Sequence, residues 1–215
     1  MINLPINIHD FALYANVFID CDGVILDSNK IKENNIGQIL KKHLSKETFN
    51  DCIRYFNANP GVPREKKLSK YILSEHLLSI ILYEYNKLNL ISLKEAKLVD
   101  GVLDFLNAMK ITDKKIFMVS GGSEDELLSI FSHKNLLHYF DAILGGPKSK
   151  SENIKLLNYR GDSVFFGDSK IDLEVAYLFK MDFIFVSGYT DCDLNLIQHK
   201  VKFNTIQNFK QIKLK

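Results

Sequence analysis

The chain has little of three things that mark secreted, membrane-bound or nucleic-acid-binding proteins: cysteine, net charge and long apolar runs. Its three cysteines, Cys21, Cys52 and Cys192, are odd in number and lack the spacing of a metal site, which fits a reducing compartment. Its 28 basic and 26 acidic residues leave a formal net charge of +2. We therefore expect neither a nucleic-acid partner nor a membrane surface.

The segment that starts at Met1 shows neither a cationic leader nor a long apolar stretch. We therefore expect no signal peptide and no membrane anchor, and a cytoplasmic location. Internal repeats, low-complexity segments and extended linkers are also missing. What is present is ordinary for a globular protein: 46% apolar and 25% charged residues, in a 215-residue chain that can hold one α/β core and an insertion.

The most informative segment is NVFIDCDGVILDS, an apolar strand that ends in two alternate carboxylates, Asp20 and Asp22. Side chains alternate along a strand, so the two carboxylates share one side, while Cys21 points away as a buried spacer. Gly23 allows a sharp turn after them. Two carboxylates this close require a cation, and Mg²⁺ suits them because it binds carboxylates together with a substrate phosphate. The segment predicts a phosphoryl-transfer site.

A second segment, KIFMVSGGS, is an apolar run too short for a helix and closed by small residues. It predicts a buried strand that delivers Ser120. Gly121 and Gly122 would let backbone N–H groups approach a bound anion. By itself this pattern is also typical of a plain connection between a strand and a helix.

Two further segments place polar side chains at turns. GGPKSKSEN is a glycine and proline turn that leads into a predicted helix over 151–157, and it contains Lys148 and Lys150. SVFFGDSKIDLEVA predicts a strand, a glycine turn and a helix. Asp168 lies at the end of that strand, and Asp172 follows one helical turn later.

These four segments resemble, in order and spacing, the four motifs of the haloacid dehalogenase superfamily, and the resemblance spans most of the chain. It implies that Asp20 is the nucleophile that becomes an aspartyl-phosphate. Asp22 would be the general acid and base. Haloacid dehalogenases themselves lack an Asp two positions after the nucleophile, so the resemblance argues against dehalogenation.

The resemblance also implies a magnesium site. Its ligands would be Asp20, Asp168 and Asp22, the last through its backbone carbonyl. Asp172 would have a supporting role, in which it steadies the loop or a metal-bound water.

For the transferring phosphoryl group, the resemblance implies hydrogen bonds from Ser120 and from the backbone at Gly121. It also implies a lysine that neutralises the phosphoryl oxygens and the carboxylates. Lys148 and Lys150 both fit this description. We prefer Lys150, which resembles the lysine just before the helix in members of the superfamily that have a cap.

The order of predicted elements indicates an α/β fold: a Rossmann-like, mostly parallel sheet with helices on both faces and an inserted α-helical cap. We assign residues 1–27 and 98–215 to the core domain and 28–97 to the cap domain. Ligands of such sheets bind at the carboxyl ends of the strands, where the motif carboxylates fall. The predicted cap helices cover 29–44, 46–57 and 65–88, and the predicted later strands lie at Ile116, Ala142, Val164 and Phe183.

Within the cap, the segment NANPGVPREKK resembles one that faces the active site in helical-cap enzymes of the phosphoglycolate phosphatase and β-phosphoglucomutase type. Arg64 would then bind an anionic part of the substrate, for which its guanidinium fork is suited. The alternative is that Arg64 starts a helix whose basic face meets water. We expect Lys66, Lys67 and His76 to be ordinary cap residues.

These resemblances imply a Mg²⁺-dependent phosphatase that acts on a small phosphorylated metabolite, such as a sugar phosphate or a phosphoglycolate-like acid. A cap that closes over the site favours a small substrate. A phosphomutase of the β-phosphoglucomutase type uses the same four motifs and stays open as an alternative. A non-catalytic module that binds a phosphorylated ligand is a second alternative, although such a module would usually have lost a motif carboxylate.

Overall fold

A computed structural model describes residues 6–193 and 203–214 of the chain. Its centre is a parallel sheet of six strands in the order β4-β3-β2-β5-β6-β7, and β1 pairs with β8 in a separate parallel ribbon. The predicted α/β fold with a parallel sheet is therefore confirmed. The strands are β1 (Ile6–Asn7), β2 (Asn16–Ile19), β3 (Lys115–Ser123), β4 (Ala142–Gly146), β5 (Ser163–Gly167), β6 (Asp182–Val186), β7 (Asn204–Ile206) and β8 (Ile212–Lys213).

Within the residues that the structure describes, eight α-helices accompany the strands. Five of them lie between β2 and β3, and the first four of these are in the region of the predicted cap. They are α1 (Asn29–His43), α2 (Lys46–Ala58), α3 (Arg64–Leu68), α4 (Glu75–Ser92), α5 (Val102–Lys110), α6 (Glu124–His133), α7 (Lys150–Leu156) and α8 (Lys170–Leu178). In the part of the chain that the structure describes, no helix is both long enough and apolar enough to cross a membrane.

The alternating faces of the strands divide the core into two apolar clusters. In β2, Val17 and Ile19 face a cluster that includes side chains of α5 and α6, whereas Phe18 faces a cluster formed with α7 and α8. Cys21 is buried in the first cluster, as predicted for a spacer. Because both faces of the sheet are covered by helices, ligands can reach it only at the ends of its strands.

Helices α1 to α4 form an apolar cluster of their own, which includes Ile36, Leu40, Ile81 and Tyr85. The chain leaves the core and returns to it side by side, since Leu26 and Leu98 form an antiparallel bridge. This narrow double connection agrees with the predicted domain limits at 27/28 and 97/98, which stay a prediction.

The structure corrects one predicted helix and adds strands. The single helix expected over 65–88 is divided into α3 and α4, because the Ser74 hydroxyl accepts a hydrogen bond from the N–H of Leu77 and so starts a new helix at Glu75. Strand β7 and the β1–β8 ribbon were not predicted. They contain only two or three residues each, too few for a periodic pattern.

Phe166 of β5 gives a test of the core. Its ring is fully buried, with centroids of Phe105, Phe209 and Phe11 at 5.1, 5.4 and 5.7 Å. We expect Phe166→Ala to lower the free energy of unfolding by about 3–5 kcal/mol, measured in urea, because the substitution leaves a cavity among these rings. Phe166→Leu, which keeps most of the volume, is the control. Equal losses in the two variants would contradict this account.

Candidate active site

Three neighbouring strands bring the motif side chains to one edge of the sheet. Strand β2 lies between β3 and β5, and all three run parallel. Asp20 follows the last residue of β2 and Asp168 the last residue of β5. Ser120 lies in β3 just after Val119, where the pairing with β4 becomes irregular. The sheet topology thus places these residues together at the carboxyl ends of the strands, as predicted.

The turn after β2 depends on the glycine between the motif and the cap. Gly23 has φ +72, and a Cβ there would lie 2.3 Å from Oδ2 of Asp168 and 2.5 Å from Nδ2 of Asn29. Any side chain would therefore force the loop away from Asp168. The same Asn29 amide donates to Oδ2 of Asp168 at 2.8 Å, so the start of α1 is joined directly to the carboxylate at the end of β5.

A cluster of three buried carboxylates, Asp20, Asp168 and Asp172, occupies this edge. One oxygen of each lies within 4.8 Å of the others. Burial raises the pKa of Asp168 well above its ordinary value, and the neighbouring carboxylates of Asp20 and Asp172 raise it further. The pKa of Asp20 is raised to about 7, mainly by burial. Ionising all of these groups therefore requires additional positive charge.

The donor set fits Mg²⁺. Oδ1 of Asp20 is buried without a directed hydrogen bond, although the Lys150 ammonium lies 2.8 Å away as an ion-pair partner. Carboxylate oxygens are the ligands that Mg²⁺ prefers. Asp20 and Asp168 are the side chains that could hold it. The side chain of Asp22 is outside this cluster, which is compatible with the predicted role of its backbone carbonyl.

Lys150 already provides one positive charge beside the three carboxylates. Its fully buried ammonium lies between Asp20 and Asp172 and donates a hydrogen bond to Oδ1 of Asp172. Burial alone would lower the pKa of Lys150, but these two carboxylates raise it above its ordinary value. Of the two lysines that the sequence left as candidates, Lys150 therefore meets the carboxylates, whereas Lys148 is exposed.

Asp172 and Ser120 are both held by hydrogen bonds. Oδ2 of Asp172 accepts from the Ser169 hydroxyl at 2.6 Å, in a capping box that starts α8. The Ser120 oxygen accepts from the N–H of Gly122 at 3.1 Å. This bond leaves the hydroxyl proton of Ser120 available to donate to a ligand.

The Asp22 side chain faces the first helix of the cap. It accepts from the Ser28 hydroxyl and from the Lys32 ammonium, each at 2.6 Å. Burial would raise the pKa of Asp22, but Lys32 and Ser28 outweigh burial, and the pKa is lowered. Asp22 is therefore a carboxylate in this arrangement.

Arg64 is engaged in a buried ion pair that links the cap to the core. Its guanidinium donates to both carboxylate oxygens of Glu126 on α6, at 2.9 and 2.7 Å, and to Oδ1 of Asn86 on α4. Both charged side chains are about 95% buried. The role predicted for Arg64, binding an anion of the substrate, stays a prediction. In this structure the Arg64 guanidinium binds a carboxylate of the protein itself, that of Glu126.

The cap closes over the strand ends and leaves a cavity of about 700 Å³. Two glycines allow the cap loop to approach the core closely, since a Cβ on Gly121 would lie 2.7 Å from the carbonyl oxygen of Gly61 in that loop. A cavity of this volume is in the range of small-molecule sites. Its charged lining includes Asp20, Asp22 and Asp168 from the core, and Lys32, Arg64 and Lys67 from the cap.

Sequence reasoning missed Lys32, Glu126 and Asn29. A signal existed for Lys32, which is four residues after Ser28 and so lies on the same face of the predicted helix, next to the two-aspartate motif. Asn29 gave no comparable signal. Nothing in the sequence connects Glu126 to Arg64.

Comparison with known proteins agrees with the fold. The sequence pattern described as haloacid dehalogenase-like hydrolase matches residues 17–186. No curated protein matches the sequence significantly.

Solved structures with the same architecture cover nearly the whole chain. A predicted phosphatase from Clostridium acetobutylicum has a TM-score of 0.72 at 22% identity, with 94% of each chain covered. A predicted phosphoglycolate phosphatase from Haemophilus somnus has a TM-score of 0.72 at 16% identity, covering 92% of this chain and 95% of that one. CbbY from Rhodobacter sphaeroides, in complex with phosphate, has 0.67 at 12%, covering 91% and 95%. These similarities establish a shared fold.

The ion pair between Arg64 and Glu126 can be tested by stability. We expect Glu126→Gln to lower the free energy of unfolding by about 3–5 kcal/mol, because it leaves the buried guanidinium without its carboxylate. The measurement is urea unfolding of the purified variant.

The control for this experiment is Glu174→Gln, which breaks an exposed pair with Lys170 on α8. Exposed pairs are screened by water, so we expect little change there. Similar stabilities of the two variants would show that the cap–core pair contributes no more than a surface contact.

Proposed function

This chain belongs to the haloacid dehalogenase-like hydrolases, and we propose that it is a Mg²⁺-dependent phosphatase that hydrolyses a small phosphate monoester through an aspartyl-phosphate. The observation that carries the proposal is the convergence of Asp20, Asp168 and Lys150 at one end of the sheet. A nucleophilic carboxylate beside a cation site and an ammonium is suited to attack on a phosphoryl group, whose charge must be neutralised during transfer. We further propose sugar phosphates and phosphoglycolate-like acids as leading candidates for the substrate.

In the first step, a carboxylate oxygen of Asp20 attacks phosphorus while the bond between phosphorus and the leaving oxygen breaks. Lys150, next to Asp20, stabilises the charge on the phosphoryl oxygens, and the Ser120 hydroxyl donates a hydrogen bond to one of them. Asp22 gives a proton to the leaving oxygen, which departs as the alcohol.

In the second step, Asp22 accepts a proton from water as the water attacks phosphorus, and the bond to Asp20 breaks to release phosphate. The lowered pKa of Asp22 suits this second step, in which the residue must be a carboxylate. The first step needs the protonated form. The ion pair between Asp22 and Lys32 must therefore loosen when the substrate binds.

Asp20 and Asp168 would hold Mg²⁺ by their side chains, with the backbone carbonyl of Asp22 as a further ligand. When bound, the ion would lower the pKa of these carboxylates and supply positive charge to the phosphoryl oxygens. Asp172 does not approach the substrate in this scheme. It accepts a hydrogen bond from the Lys150 ammonium and so positions Lys150.

The cavity supports a small substrate. The cavity, of about 700 Å³, lies between the cap loop at Gly61 and the strand ends, and this loop leaves little room for a polymer. Among the similar structures, that of CbbY holds phosphate, which supports a phosphorylated ligand here.

The nucleophile is tested by Asp20→Asn. We expect this variant to fold and to lose phosphate release from all substrates, because an amide cannot form the aspartyl-phosphate. The assay measures free phosphate from sugar phosphates, phosphoglycolate and an aryl phosphate, with Mg²⁺ or EDTA. EDTA is expected to stop the wild-type reaction.

The matched control is Asp100→Asn, which removes an exposed carboxylate far from the motifs in sequence. Appreciable turnover by Asp20→Asn would overturn the assignment of the nucleophile. Isomerised sugar phosphate without net phosphate release, in the presence of a bisphosphate primer, would instead identify a phosphomutase.

The magnesium site is tested by Asp168→Asn. We expect the Mg²⁺ concentration for half-maximal activity to rise at least about tenfold, since loss of even an outer partner costs about 10- to 100-fold in metal affinity. Calorimetric titration of the protein with Mg²⁺ is the second readout. An unchanged Mg²⁺ dependence would show that Asp168 is not a ligand.

A further inference from the structure

Lys67 of α3 is a buried ammonium that lines the cavity without a carboxylate partner. The residue is 7% exposed, and its Nζ donates to the carbonyl oxygen of Phe56 at 3.2 Å. Nζ also lies 3.6 Å from the centroid of the Phe56 ring. Within residues 6–193 and 203–214, no carboxylate oxygen comes within 4.0 Å of it. Sequence reasoning had favoured an ordinary cap residue here.

The other cap cations that line the cavity, Lys30, Lys32 and Arg64, each have a carboxylate partner in this structure. Lys32 is paired with Asp22, and Arg64 donates to both oxygens of Glu126. Among the cap cations that line the cavity, Lys67 is therefore the one without a carboxylate partner in the part of the chain that the structure describes.

A positive charge on Lys67 is unfavourable in this buried position without a carboxylate partner. Burial, together with the nearby cations Lys32 and Arg64, lowers the pKa of Lys67 to about 7, while Asp22 opposes them. A buried ammonium is stabilised by a charged hydrogen-bond acceptor. An ammonium has three N–H donors, and the Phe56 carbonyl uses one, which leaves donors for a ligand.

We propose that Lys67 binds a second anionic group of the substrate, a carboxylate or a second phosphate carried by the alcohol portion of the phosphate monoester. This inference rests on the proposed phosphatase function and specifies its substrate class. The ester phosphate lies at Asp20 on the core side, and the second anion meets Lys67 on the cap side of the same cavity. Binding Arg64 instead would leave the buried Glu126 without its partner, which is costly.

The test compares matched substrates in wild type and variants. Phosphoglycolate and 2-hydroxyethyl phosphate differ in whether a carboxylate is present, and glucose 1,6-bisphosphate and glucose 6-phosphate differ by one phosphate. For each pair, the readout is the preference ratio: kcat/KM of the more anionic substrate divided by that of its partner. The variants are Lys67→Met and Lys67→Arg, with Lys66→Met, a change of the exposed neighbouring lysine, as control.

We expect Lys67→Met to lower the preference ratio about 10- to 100-fold for at least one pair, the value of a charged hydrogen bond, mainly through KM. Lys67→Arg retains most of the preference because it keeps the charge, and Lys66→Met leaves the ratio unchanged. An unchanged ratio in Lys67→Met for both pairs would overturn the proposal. Equal losses for both members of each pair would do so too, because they would indicate a structural role.

Failure of the phosphatase proposal is recognised separately. If the wild type releases phosphate from none of these substrates, calorimetry with phosphoglycolate and glucose 1,6-bisphosphate measures binding alone. Binding that is weakened about tenfold or more by Lys67→Met, and kept by Lys67→Arg, supports the anion site in a protein that is not a phosphatase. Equal binding by wild type and Lys67→Met, or none by either, rejects the site.

Discussion

The rest of the site depends on one buried ammonium, that of Lys150, between Asp20 and Asp172. The sheet topology brings Asp20 and Asp168 together at the ends of adjacent strands, and α8 adds Asp172 beside them. Like charges so close in a dry environment repel strongly. Lys150 balances one of the three charges. The two that remain when all three are ionised match one divalent cation, so the fold and the proposed Mg²⁺ chemistry have the same electrostatic cause.

Opposite charges also meet at the contact between the cap and the core. The core contributes the carboxylates Asp22 and Glu126, and the cap contributes Lys32 and Arg64. Each pair joins one residue of the cap to one residue of the core, so the charges of both pairs are neutralised where the cap meets the core. Lys67 belongs to neither pair, so an anionic substrate would supply the negative charge that Lys67 lacks.

The sequence predicted best where a side chain's role depends on its neighbours along the chain. Asp20 and Asp168 each end an apolar strand, and that local pattern was sufficient to predict both their element and their position at the edge of the sheet. The break between α3 and α4 was missed because the apolar spacing continues through it. Helix α3 ends at Leu68, and the signal that starts α4 is a single capping serine, Ser74.

By itself, the sequence determined the parallel α/β fold, the inserted helices and the carboxylates that gather at the strand ends, because periodicity and turn chemistry are local properties. Only the tertiary structure decided which charges pair. Arg64 and Glu126 are 62 residues apart, and Lys150 and Asp20 are farther still. Whether a lysine is exposed, like Lys66, or buried beside a cavity, like its neighbour Lys67, depends on helices from the whole cap, since burial and electrostatic pairing are set by packing in three dimensions.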